Sequence, residues 1–149
     1  MGFQAIGSEY LAWQKRKLDW LTDSDFVIAK RSVDAVIAPI YDKEGQRALV
    51  VPISDTEAYV AEVRSRDGKP QSELGVLLYR VSLQIETGKG PIRIIPAAAD
   101  SNEPQLEQRF ITLYNALYKD GVVLNDSESR VRIEITGRTA RAFNLHVTR

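Results

Sequence analysis

From Phe26 to the end of this 149-residue chain the apolar residues recur mostly with a period of two, and that alternation limits the fold more than any other feature. A strand sends successive side chains to opposite faces, so period two marks a sheet and period 3.6 a helix. The most regular strand runs Gly75 to Ile85, with Val76, Leu78, Arg80 and Ser82 against Leu77, Tyr79, Val81, Leu83 and Ile85. Tyr59 to Arg66 alternates Tyr59, Ala61 and Val63 against Val60, Glu62 and Arg64, and the second set reads as a solvated face carrying a charge pair. Further strands are expected at Phe26–Ile28, Asp34–Ile40, Arg47–Ile53, Ile92–Ile95, Arg130–Thr136 and Ala142–Thr148. Asp42-Lys43-Glu44-Gly45, Asp67-Gly68-Lys69-Pro70, Gly88-Lys89-Gly90-Pro91 and Gly137-Arg138-Thr139 supply the turns.

Two stretches follow helical spacing instead. In Ser8 to Leu21, Ser8 is the expected N-cap, Glu9 follows in the first turn, and Tyr10, Trp13 and Trp20 share one side. That apolar side has two readings: packing onto the domain's own sheet, or a surface made for a partner. Leu106, Phe110, Leu113 and Leu117 predict a second helix, introduced by Asp100-Ser101-Asn102 and Pro104 and ending before Gly121. The fold class is therefore mainly β: an antiparallel β-sandwich or partly open barrel with an N-terminal helix and one further helix. Residues 1–22 form a helical arm packed on the sheet, and 23–149 a single β-rich domain. Strands do not alternate with helices, which argues against a parallel doubly wound sheet.

Charge and composition narrow the chemistry. Twenty basic and twenty acidic residues cancel, so a polyanion such as nucleic acid is not the expected partner. Lys15-Arg16-Lys17 reads as a solvated helix face. No apolar run reaches the ~20 residues of a membrane-spanning helix. With no cysteine there is no thiol nucleophile, disulfide or thiolate metal site. The one histidine, His146, lies in the last strand and reads as a surface or edge-strand residue. Gly88-Lys89-Gly90 lacks phosphate-loop spacing and reads as a turn. Acidic pairs stand in loops at Asp23 and Asp25, Asp55 and Glu57, and Asp126 and Glu128. Asp23 and Asp25 are the first calcium candidates, though none follows the EF-hand pattern. Tyr41, Tyr59, Tyr79 and Trp13 are candidates for an aromatic glycan platform.

Four segments, in order, resemble the region behind the catalytic domain of secreted zinc metalloproteases similar to immune inhibitor A. They are YLAWQKRKLDWL (residues 10–21), AYVAEVRSRDGKPQSELGVLLYRV (58–81), GKGPIRI (88–94) and the ending GVVLNDSESRVRIEITGRTARAFNLHVT (121–148). The departures are Asp19 where glycine is usual, Ser82 where aspartate is frequent, and Glu73-Leu74 in place of a leucine-proline step. The family's HExxH signature has no counterpart, since a single histidine cannot form it. The resemblance implies a non-catalytic accessory or structural β domain with no catalytic residues and no cofactor. It would act by packing or protein interaction through Tyr10, Trp13 and Trp20, against an adjacent protease domain or in a homo-oligomer. A glycan- or calcium-binding β-sandwich module is the alternative. A fragment of such a protein would be secreted or at the cell surface. If the chain is complete, the start, Met1-Gly2-Phe3, which lacks a basic segment followed by an apolar one, implies the cytoplasm.

Overall fold

The computed structural model describes residues 10–66, 69, 71–86, 88–97 and 116–149. The described chain is mainly β and forms two sheets that do not close into a barrel. Its elements are α1 (Ala12–Lys17), a 3-10 turn (Asp23–Asp25), β1 (Phe26–Ile28), β2 (Val33–Ile37), β3 (Ala48–Pro52), β4 (Glu57–Ser65), β5 (Leu74–Ser82), β6 (Ile92–Ile95), β7 (Gly121–Asp126), β8 (Val131–Arg138) and β9 (Phe143–Thr148). One sheet has the order β1-β3-β4-β5-β6, the other β2-β9-β8-β7. The strand pairs are antiparallel except β1 and β3, which run parallel. The exception corrects the expected all-antiparallel pairing. Between β1 and β3 the chain leaves to place β2 in the other sheet, and such an excursion allows a parallel return. The second expected helix falls mostly on residues 98–115, outside the described residues. Of its expected end, Tyr118 is extended and pairs antiparallel with Val76.

Two separate apolar clusters follow from this layout. Between the sheets lie Ile37, Leu49, Val51, Ala61, Val63, Val76, Leu78, Ile133, Phe143, Leu145 and Val147, all buried. The opposite face of the five-stranded sheet is apolar as well. There Ala48, Val50, Val60, Leu77, Tyr79 and Val81 are buried together with Ala12 and Leu21 of the arm, Phe26 and Ile40. Strands β4 and β5 are therefore covered on both sides, which is why both residue sets of their alternation are largely apolar. The outer face of the four-stranded sheet carries polar groups instead. Asp34, His146 and Glu134 stand opposite one another across β2, β9 and β8, and His146 Nδ1 lies 2.7 Å from Asp34 Oδ1.

Strand β7 lies where alternation assigns no strand. Its register shifts between Val122 and Leu124, so both Val123 and Leu124 reach the inner core and the period breaks. A polar contact joins the sheets near its end: the Tyr59 hydroxyl donates to Asp126 Oδ2 at 2.7 Å. Burial, aided by that carboxylate, lifts the Tyr59 phenol to about 12, and hydrogen bonds from Tyr59 and Ser129 hold Asp126 down at about 2. With its folded value depressed, Asp126 adds stability above the ordinary aspartate range near pH ~4. That contribution is lost as pH falls toward about 2.

Gly75, near the start of β5, lies close against Leu117 and Tyr118. A Cβ at this position would stand 2.7 Å from Leu117 Cβ and 2.9 Å from the Tyr118 carbonyl oxygen. Tyr118 is bridged to Val76 next to it, so only a hydrogen fits at Gly75, and backbone cannot yield as a side chain can. Gly75→Ala is expected to lower unfolding free energy in urea by about 1–3 kcal/mol; unchanged stability would mean that the contact is looser than described. For the contact between the sheets, Tyr59→Phe is expected to cost about 1.5–3 kcal/mol at neutral pH, as for hydrogen bonds to charged groups. It should also bring the Asp126 titration, followed by NMR, back toward the ordinary range.

Candidate docking site on the arm

The arm is held by groups that alternation alone misassigns. Glu62 points away from the inner core and is fully buried beneath α1, not solvated. Its Oε2 accepts hydrogen bonds from the Ala12 backbone N–H at 2.7 Å and the Tyr79 hydroxyl at 2.8 Å. The Tyr79 hydroxyl in turn accepts the Trp13 N–H at 3.3 Å. Arg64 Nε stands 2.8 Å from Glu62 Oε1, a distance at which charge acts without an aligned hydrogen bond. Arg64 Nη2 donates to the Tyr10 carbonyl at 2.8 Å.

This cluster does for the helix what its own sequence does not. The N-cap position is Leu11, whose side chain has no oxygen to accept from the first turn. Gln14 Oε1 reaches back to the Leu11 N–H at 3.0 Å, and the Glu62 carboxylate from β4 takes the Ala12 N–H. The expected cap Ser8 lies outside the described residues, and the helix is six residues long instead of spanning Ser8–Leu21. Its end is a Schellman turn. Trp20 N–H donates to Lys15 O at 2.9 Å and Asp19 N–H to Arg16 O at 3.2 Å, with Asp19 left-handed at φ 57°. Glycine holds that conformation without the Cβ clash an aspartate bears.

Burial is the largest influence on Glu62 and pushes its carboxyl above the ordinary range. The Arg64 charge, the Ala12 and Tyr79 hydrogen bonds and Lys15 pull it back. The Tyr79 hydroxyl is raised well above its usual value, first by burial and then by the Glu62 charge. Lys15 is buried in the same region. A titratable group with its value raised in the fold stabilises below its ordinary range and loses that contribution as pH rises through the raised value.

The three expected interaction residues divide. Trp13 is half-buried and packs against the cluster beneath the arm. Tyr10, Leu18 and Trp20 face outward, 51%, 48% and 61% exposed. The rings of Tyr10 and Trp20 meet edge to face, 5.4 Å between centroids and 82° between planes. One set of arm residues thus packs on the sheet and another is turned away from it. Leu18 joins the exposed group because the helix ends there and the Schellman turn redirects the chain.

The remaining candidates are engaged elsewhere. Asp23 pairs with Arg16 at 2.8 Å. Asp25 is buried, forms an ion pair with Arg47 and accepts the Thr22 N–H at 2.7 Å. The two calcium candidates therefore serve different arginines. Among the described residues no group of three or more metal-binding side chains converges. Of the platform candidates, Tyr59 and Tyr79 are buried with their hydroxyls bonded, and Tyr41 is half-buried with its hydroxyl 3.1 Å from Ser65 Oγ. Glu57 is taken by Arg80 at 2.7 Å. Gly88 and Gly90 have positive φ, as a turn requires, and Lys89 pairs with Glu86 at 2.6 Å. No described helix is long and apolar enough to cross a membrane. No known protein family, curated protein or solved structure matches the chain.

Removing one member of a buried pair strands the other, which costs more than the pair contributes. Glu62→Met is therefore expected to destabilise by about 3–5 kcal/mol in chemical denaturation, and the double variant Glu62→Met/Arg64→Met by less than the single one. A double variant as unstable as the sum of both singles would mean that the two charges act independently.

Proposed function

We propose that this chain is a non-catalytic β module that works by docking to another protein through the exposed Tyr10, Leu18 and Trp20 on its arm. The observation carrying this reading is the Tyr10–Trp20 ring pair itself, two large aromatics held edge to face and more than half exposed. Aromatic side chains at a surface carry much of the energy of protein interfaces because they bury large area with few rotatable bonds. Apolar groups gathered on one surface favour a partner over solvent, at about 25 cal/mol per Å² covered.

The resemblance to the region behind an immune inhibitor A-like protease supplies the favoured partner, an adjacent protease domain; a homo-oligomer is the other protein partner considered. In either case the chain contributes a surface and no chemistry. The role is accessory: to pack against the partner and fix its position.

The test separates docking from folding. A double variant, Tyr10→Ser/Trp20→Ser, should retain stability within about 0.5 kcal/mol, as surface substitutions do. It should lose binding to a catalytic domain of the resembled family added in trans, read by sedimentation. A loss of more than about 2 kcal/mol in the variant would assign the pair to the fold and remove the basis of this reading.

A further inference from the structure

We propose that the arm, residues 10–21, is a detachable strap that undocks from the sheet as one unit while the two-sheet core stays folded, with Glu62 as its latch. Only the consequence for docking rests on the reading above: the aromatic pair is displayed in fixed geometry when the strap is latched, so a partner that grips Tyr10 and Trp20 stabilises the latched form.

The division of the core argues for separate units. Ala12 and Leu21 belong to the cluster on the outer face of the five-stranded sheet, whereas the residues between the sheets form another cluster without any arm residue. Regions with few contacts to the main core open at lower free energy than that core. The arm cannot persist as a helix once released, because six residues are far below the length at which helices survive in water. Undocking and unfolding of the arm are thus one event.

The attachment is concentrated. Ala12 N–H bonds Glu62, Trp13 N–H bonds Tyr79, and the Tyr10 carbonyl accepts from Arg64. These three partners are neighbours on β4 and β5, and Glu62 contacts both of the others. A buried carboxylate is a poor source of net stability yet costly to strand, which suits a latch that holds in one geometry and gives way as a whole. At the other end, left-handed Asp19 works against the docked form. The tyrosine carbonyl gripped by Arg64 belongs to the residue whose ring meets Trp20, so the latch also sets the aromatic pair.

Native-state hydrogen exchange on the full chain tests this, read at the Ala12, Trp13 and Lys15 amides and, as reference, in the β8–β9 ladder. In urea below the unfolding transition the arm should open at a lower free energy, and with a weaker urea dependence, than the ladder. Glu62→Gln should lower arm protection by about tenfold or more and Asp19→Gly should raise it by roughly fivefold, with the arm still opening before the ladder in each variant. An arm that opens only together with the ladder, at the same free energy and urea dependence, or that responds to neither substitution, would overturn the proposal. If Glu62→Gln does not fold, Asp19→Gly decides by the same criterion. The result is independent of the partner: an arm that exchanges as a unit beside a binding-neutral Tyr10→Ser/Trp20→Ser variant would leave the strap standing and the docking function without support.

Discussion

The rest of the structure depends on a carboxylate that is out of reach of water. Glu62 sits within a sheet face made of Val60, Leu77, Tyr79 and Val81, where an isolated charge would be strongly unfavourable. It is tolerated because a backbone N–H, a phenol and a guanidinium converge on its two oxygens. The same convergence caps a helix that starts at Leu11 without a side-chain cap of its own. One group thus answers two unsatisfied demands, the orphan N–H of the helix and the buried charge of the strand.

That pairing explains the layering. A five-stranded sheet with apolar residues on both faces needs cover on both sides. The four-stranded sheet covers one side, and the arm covers part of the other. The four-stranded sheet, with Asp34, His146 and Glu134 outward, needs no second cover. Three of the four edge strands carry features that hinder pairing with other chains. Strand β1 has three residues, β6 lies between Pro91 and Pro96, and β7 is bulged.

Much of the β-architecture was legible because alternation reports local geometry. Strands β3, β4, β5, β6, β8 and β9 fall where period two placed them, with ends shifted by a few residues. Strand β7 was not legible, since its bulge puts two successive residues inward. The surroundings of Glu62 and Arg64 were misread for a different reason. Alternation says which residues share a face, but which face is covered depends on the chain arriving from fifty residues away. The helix boundary was misplaced likewise, because its cap comes from β4, far away in the sequence. The tryptophans were visible as a candidate site, yet their division into half-buried Trp13 and exposed Trp20 follows from where the helix stops. The Schellman turn that stops it has aspartate, not glycine, in the left-handed position, so the usual signal was absent.

The most direct measurement of the central claim is the NMR titration of the Glu62 side-chain carboxyl in the intact chain. A carboxyl enclosed beneath the arm is expected to titrate above the ordinary glutamate range, with burial as the cause. A midpoint within the ordinary range, near ~4.3, would mean that water reaches Glu62 and that the arm is not held as described.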